Sequence, residues 1–270
     1  MCWDFDTFSP ALVAFPLQTT TPPIEQRCSH CAPVRGLSIR CDNRVVDLHA
    51  LVQTVSIYAL PVIFAITLHE AAHGYVAHLR GDDTAWMMGR VTLNPLSHID
   101  PMGTLVLPAV LFFVTAGNFL FGFARPVPVR FGNLHNPKRD MIWVALAGPG
   151  INFVQAVLWG LILYVLVGFG VEERFFIEVC KAGIKANAVM FAFNLFPLPP
   201  LDGGRILVGL LPWKQAVLLS RVEPWGFYIV MALVVFGIVD RWWMMPLMGL
   251  TFESLRWLLT PFEFLLKSPL

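Results

Sequence analysis

Uncharged apolar runs alternate with short polar clusters along most of the chain. Residues 50–68 carry no charged side chain, and the apolar character continues to Leu79, where residues 80–83 form a polar turn. A second uncharged run covers residues 141–171 and ends at the charged cluster 172–174. A helix of about 20 residues crosses the hydrocarbon core of a bilayer, which is roughly 30 Å thick. Both runs are therefore predicted to be membrane-spanning helices.

Later apolar stretches extend this pattern, at 186–201, 224–239 and 242–259. The uncharged run 102–124 has three open interpretations: a span, a re-entrant segment or an interfacial piece. Short β-prone pieces between turn residues, at 90–95, indicate a strand at the membrane surface. Residues 126–130 are also predicted to be strand-like, because alternating prolines forbid helix and favour extended backbone. The predicted fold is an all-α polytopic membrane protein. It is a bundle of about four to six transmembrane helices with short β-strands at the membrane edge.

The first 45 residues differ from the remainder of the chain. They contain scattered prolines and polar residues without a sustained period, which is typical of disorder. Residues 1–45 are therefore predicted to be a disordered tail or an over-extended start, and residues 46–270 an integral membrane domain. Cys28 and Cys31 form a C-x-x-C that invites a zinc or redox interpretation. A second pair at matching spacing is missing, which favours incidental thiols.

Composition supports the membrane assignment and narrows the choice of partners. The chain has 270 residues, of which 56% are hydrophobic and 14% are charged. Soluble domains carry roughly a quarter charged residues. The formal net charge is +1, which argues against a nucleic-acid partner. The expected environment is the lipid bilayer.

One motif at the end of the first apolar run carries metal chemistry. Residues 69–73 read His-Glu-Ala-Ala-His, an H-E-x-x-H pattern. A helix places positions i and i+4 on one face, so His69 and His73 can bind the same metal ion. Glu70 between them can act as a general base. Ionisable groups inside a membrane are costly and usually functional, so a membrane-embedded metal site is the leading interpretation.

A catalytic zinc site needs a third protein ligand. Asp202 is the preferred candidate, because prolines end regular helix near Phe196 and place this carboxylate on irregular backbone beside apolar sequence. Other acids and histidines near apolar sequence remain candidates on these grounds alone: His78, His98, Asp100, His135, Glu223 and Glu253.

Three segments together resemble one known family. They are the H-E-x-x-H motif in an apolar run, Ala147-Gly148-Pro149 with Asn152, and the stretch from Asn194 to Asp202-Gly203 in the form N-x-x-P-x-P-P-L-D-G. In this order and context they resemble the site-2 protease family of intramembrane zinc metalloproteases, over roughly residues 50–260. The likeness is to small bacterial members without an evident PDZ domain.

The resemblance implies roles for individual residues. His69, His73 and Asp202 would bind one zinc ion, with Glu70 as the general base. Asn194, eight residues before Asp202, would donate to the oxyanion of the tetrahedral intermediate. A second candidate is Asn152, either as a donor or as a polar residue in helix packing.

The predicted function is an intramembrane zinc endopeptidase that hydrolyses peptide bonds within or near transmembrane segments of other proteins. The expected location is a bacterial inner membrane, with the active site toward the cytosol. The alternative is a non-proteolytic membrane protein that binds metal, either a transporter or a regulatory pseudoprotease. Nearly uncharged spans argue against a transporter, and the intact motif argues against a pseudoprotease. Substrate identity and oligomeric state stay open.

Overall fold

The computed structural model describes residues 48–107, 110, 122 and 124–267. The predicted tail, with Cys28 and Cys31, and most of the 102–124 run lie outside the described residues. The longer helices are α1 Leu48–Leu79, α3 Pro137–Gly168, α4 Arg174–Asn194, α5 Asp202–Leu210, α6 Trp213–Ser220, α7 Glu223–Val235 and α8 Met245–Leu259, with short helices α2 Thr84–Met87 and α9 Phe264–Lys267.

Two helices are long and apolar enough to cross a membrane. They are Val52–Leu79, within α1, and α3. A third span results if α6 and α7, which are bent by 68° at a short break, are counted as one broken crossing. The described residues thus confirm an all-helical protein with two to three candidate spans. The predicted number of four to six is not confirmed.

The strands predicted at the membrane edge are not confirmed either. No strand occurs among the described residues, and the predicted strand 90–95 is a series of bends. Residues 124–130 lie in an irregular connection without ladder partners. Pro126 and Pro128 explain the missing ladder, because proline has no amide hydrogen to donate to a neighbouring strand.

Asp82 anchors the connection between α1 and α3. Its side chain is fully buried just beyond the end of α1. It accepts hydrogen bonds from Thr84, from the Arg130 amide and from the Asn133 side chain. Burial alone would raise the pKa of Asp82, but these hydrogen bonds outweigh burial and hold that pKa below its usual value. The loop is thereby held against the end of α1.

Helices α1, α3 and α4 pack against one another, and α5 packs on α3. Small residues allow this close approach. A Cβ on Gly183 of α4 would overlap the ring of Trp159 on α3, and one on Gly160 would overlap Leu259 of α8. The packing brings the last third of α1 and the start of α5 to the same part of α3.

The proline-rich turn between α4 and α5 places Asp202. Helix α4 ends at Asn194, close to the predicted end near Phe196. Asp202 is the first residue of α5, so the prediction of irregular backbone at this position was wrong. The turn is tight, because a Cβ on Gly203 would collide with the carbonyl group of Leu195. The Asp-Gly pair therefore lets α5 begin directly against the end of α4.

Candidate metal centre

Three side chains from two helices converge at one buried point. The Nε2 atoms of His69 and His73 lie 3.1 Å apart. Each lies 3.3 Å from Oδ2 of Asp202. His69 and Asp202 are buried, with 5% and 6% of their surface exposed. Within the described part of the chain, these residues form the one group of three metal-binding side chains at this spacing.

Hydrogen bonds behind the two imidazoles fix which nitrogen carries the hydrogen. His73 Nδ1 lies 2.7 Å from the carbonyl oxygen of Val144, which can only accept, so Nδ1 is the donor. Asn152 donates through Nδ2 to the carbonyl oxygen of Ala65, so its Oδ1 faces His69 and accepts from His69 Nδ1 at 2.6 Å. In its neutral form, each imidazole therefore presents a bare Nε2 lone pair to the centre.

This donor set fits a zinc ion. With both imidazoles neutral, two Nε2 lone pairs and a carboxylate oxygen face one another without a hydrogen to share, and the buried Oδ2 of Asp202 has no hydrogen-bond partner among the described residues. Such an arrangement is unfavourable unless a cation occupies the centre. In a tetrahedral zinc site with bonds of about 2.0–2.1 Å, ligand atoms lie roughly 3.3 Å apart. The observed separations of 3.1 Å and 3.3 Å match that edge length.

A glycine on α3 makes room for the two imidazoles. A Cβ built on Gly148 would lie 2.6 Å from Cε1 of His69 and 2.6 Å from Cε1 of His73. It would lie closer still to Nε2 of His73. The backbone of α3 thus forms one wall of the centre, and the absence of a side chain at position 148 is what allows α1 to pack there.

Glu70 lies beside the ligands on α1. It is half-buried, and its Oε2 accepts a hydrogen bond of 2.8 Å from the amide of Val127 in the loop before α3. A carboxylate has two oxygens, so Oε1 is left to act on a reacting group.

Comparisons with known proteins give a family for the chain. The model of Peptidase family M50 matches residues 176–237, which include Asp202. Two curated relatives carry the name "Putative zinc metalloprotease". YwhC of Bacillus subtilis is 37% identical over 185 residues, which are 65% of this chain and 78% of the relative. Rip2 of Mycolicibacterium smegmatis is 31% identical over 67% of each chain. No solved structure is significantly similar.

The chain belongs to peptidase family M50. The resemblance to site-2 proteases is thereby confirmed, and so are a metalloendopeptidase activity and zinc as its cofactor. The apolar helices and the family together indicate a membrane protein.

Of the residues singled out in this M50 chain, the structure brings His69, His73, Asp202, Glu70 and Asn152 into one cluster. Asn194 is placed differently. Its Nδ2 donates to the carbonyl oxygen of Met190, one turn earlier on α4. No hydrogen bond among the described residues links Asn194 to the ligands, so its oxyanion role stays a prediction.

The hydrogen bonds of Asn152 favour the second of its two predicted roles, a polar residue in helix packing, over an oxyanion donor. Its two amide hydrogens are used by the carbonyl oxygen of Ala65 and by Oδ1 of Asn187, at 3.1 Å and 3.0 Å. No hydrogen is left for an oxyanion. The contacts favour a positioning role, in which Asn152 orients His69 by accepting from Nδ1.

The other candidate ligands lie elsewhere. His78 pairs with Asp83 and stacks on Trp86 beyond the end of the motif. His98 is buried and contacts the carbonyl oxygen of Thr92. Neither belongs to the metal-binding group, nor does any other described alternative.

Sequence reasoning missed Asn187. This residue is fully buried on α4, accepts from Asn152, and donates to the carbonyl oxygen of Gly183 at 2.9 Å. One signal was available: Asn187 lies two helical turns before Asn194 in an apolar run, and a buried polar residue there needs a partner.

Proposed function

We propose that this M50 protein is an intramembrane zinc endopeptidase, which hydrolyses peptide bonds within or near transmembrane segments of other membrane proteins. The observation that carries the proposal is the position of the ligands. His69 and His73 lie inside the candidate span Val52–Leu79, and Asp202 meets them at 3.3 Å. A soluble substrate would have no reason to require a centre at this depth.

His69, His73 and Asp202 would hold the zinc ion. Zinc bound there supplies a Lewis acid that polarises the scissile carbonyl and makes water a better nucleophile. Glu70 accepts a proton from the attacking water and returns it to the leaving amine. Asn194 donates to the oxyanion that develops on the substrate, after its side chain leaves the Met190 carbonyl oxygen.

A substrate helix must unwind before it can be cut, because its own hydrogen bonds cover the carbonyl groups. We place the centre near one membrane face. His73 and His69 lie six and ten residues before the end of α1, which corresponds to roughly 9 and 15 Å along the helix. Cleavage is therefore expected near the end of the substrate segment.

We assign this face to the cytosol of a bacterial inner membrane. The loop that joins α1 to α3 carries Arg125 and Arg130, and the first turn of α3 carries Lys138 and Arg139. Basic residues favour the cytoplasmic side. The same loop contacts the end of α1, because the amide of His135 donates to the carbonyl oxygen of Arg80. The basic residues and this contact both support the assignment of the end of α1 and the start of α3 to the same proposed cytosolic face.

The full bundle is proposed to have at least four crossings. Helix α4 has 21 residues, about 31 Å, and packs along α1 and α3. Its charged residues, which include Glu178, Lys181 and Lys185, make it less apolar than α1 and α3. Together with α1, α3 and the bent pair α6–α7, helix α4 would bring the number of crossings to four, the lower end of the predicted four to six.

The test is cleavage of a model transmembrane peptide by the full chain in zinc-containing liposomes, with products identified by mass spectrometry. The wild type and the exposed control Glu253→Gln should both cut the peptide near one membrane face. Glu70→Gln should lose about 10²–10⁴ in rate. Wild-type activity in Glu70→Gln, or cleavage confined to soluble segments, would contradict the proposal.

A further inference from the structure

The connection before α3 contains a single amide donor between two prolines. Residues 126–128 read Pro-Val-Pro, so Val127 supplies the one main-chain N–H of this tripeptide. That N–H lies 2.8 Å from Oε2 of Glu70. A catalytic carboxylate and a conformationally restricted backbone donor are thus in direct contact.

Several contacts hold Val127 in place. Its side chain is 8% exposed and packs against Gly74 of α1, one turn beyond Glu70. On one side, the amide of Arg125 donates to the carbonyl oxygen of His98 at 2.9 Å. On the other side, the amide of Arg130 donates to Asp82 at 2.6 Å. The donor to Glu70 is therefore fixed from both directions along the chain.

We propose that the main-chain amide of Val127 is a positioning group for the general base Glu70. It holds Oε2 and thereby directs Oε1 toward the metal centre. A glutamate side chain has three rotatable bonds, and a charge-assisted hydrogen bond from a rigid donor restricts them before substrate arrives. The inference rests on the proposed role of Glu70 as the base.

A purely structural reading makes a different prediction. If the contact only tethers the loop, its loss should loosen the loop and affect substrate binding and turnover alike. The Asp82–Arg130 contact already tethers the same loop. A positioning role instead predicts a lower kcat with KM and zinc content unchanged.

The contact itself can be tested without any activity measurement. Prolines carry no amide hydrogen, so a peptide covering residues 125–129 reports few exchanging sites in hydrogen–deuterium exchange. Glu70→Ala removes the acceptor and should release one protected amide in this peptide. Glu70→Gln keeps an acceptor oxygen and should retain most of the protection. Equal exchange in the wild type and Glu70→Ala would overturn the proposal, whatever the enzyme cuts.

The catalytic consequence is tested with Val127→Pro, which removes the donor. The change suits this site, because the neighbouring prolines already restrict the backbone to extended conformations. Val127→Ala keeps the amide and measures the part of any loss that comes from packing on Gly74. Val129→Pro removes a nearby amide that does not contact Glu70, and serves as the matched control.

Val127→Pro should lower kcat roughly 10- to 100-fold beyond Val127→Ala, with KM and bound zinc at wild-type values. Val129→Pro should keep the wild-type kcat. Three results would overturn the proposal: wild-type kcat in Val127→Pro, loss of zinc from that variant, or an equal loss of kcat in Val129→Pro. If neither the wild type nor any variant cleaves the peptide, the proposed function fails. The exchange experiment still tests whether the Val127 amide donates to Glu70.

Discussion

Gly148→Ala tests the geometry of the metal centre at its tightest point. The added Cβ would lie 2.6 Å from Cε1 of both histidines, about 1 Å inside ordinary van der Waals contact. The imidazoles cannot turn away freely. His73 Nδ1 is held by Val144 at 2.7 Å and His69 Nδ1 by Asn152 at 2.6 Å, so relief would break these hydrogen bonds.

The expected effect falls on zinc affinity. Overpacking of this kind costs about 1–3 kcal/mol. The metal-free protein can relieve the overlap by giving up one of these hydrogen bonds, whereas zinc needs both rings in place, so most of this cost falls on the zinc-bound form. Since each 1.4 kcal/mol is a factor of ten, zinc should bind roughly 5- to 150-fold more weakly.

The assay is competition for zinc with a chromophoric chelator, using the full chain in detergent. Gly150→Ala is the matched control, because it lies on the same helix, gains the same helix propensity, and its Cβ would meet nothing within 4 Å. Gly150→Ala should bind zinc as the wild type does. Equal zinc affinity in the two variants would refute the packing argument.

The remaining predictions concern polar contacts around the centre and the loop. Asn152→Ala should weaken zinc binding about 10- to 100-fold in the same competition assay, because His69 loses its orienting acceptor. Asn194→Ala should bind zinc normally and turn over about 10²–10³ more slowly, if Asn194 is the oxyanion donor. Asp82→Asn should cost about 1–3 kcal/mol of stability at neutral pH. Because the folded-state pKa of Asp82 is lowered, its contribution is present above pH 4 and is lost as pH falls further, so thermal unfolding of the wild type should become more acid-sensitive than that of Asp82→Asn. Asp83→Asn should stay closer to the wild type, because the ion pair of Asp83 with His78 is exposed and such pairs contribute little to stability.

The long helices and the pairing of the two histidines could be predicted from the sequence because both depend on strong local signals. Uncharged runs mark α1 and α3, and the i, i+4 spacing places His69 and His73 on one face. Asp202 was harder to place. The positions of the prolines predicted the end of α4, but the start of α5 at Asp202 itself depends on tertiary packing.

Other parts of the site could not be predicted, because they depend on contacts without a sequence pattern. The hydrogen bond from Val127 to Glu70 uses a main-chain amide, which every residue except proline carries. The extended conformation predicted at 126–130 rested on the two prolines, which forbid helix, but the same prolines also remove the amide hydrogens that a strand ladder needs. The sequence left two roles open for Asn152. Its amide hydrogens donate to Ala65 and Asn187, which are distant in sequence, so these contacts could not be foreseen.

Metal analysis of Asp202→Ala tests the central claim most directly. We assign one zinc ion to coordination by His69, His73 and Asp202. The two Nε2 atoms lie 3.1 Å apart, and each lies 3.3 Å from Oδ2 of Asp202. Purified full chain, dialysed against a weak chelator, should retain about one zinc per chain in the wild type and in Glu70→Gln. Asp202→Ala should lose nearly all of it. Full zinc retention in Asp202→Ala would contradict the account and remove Asp202 from the metal site.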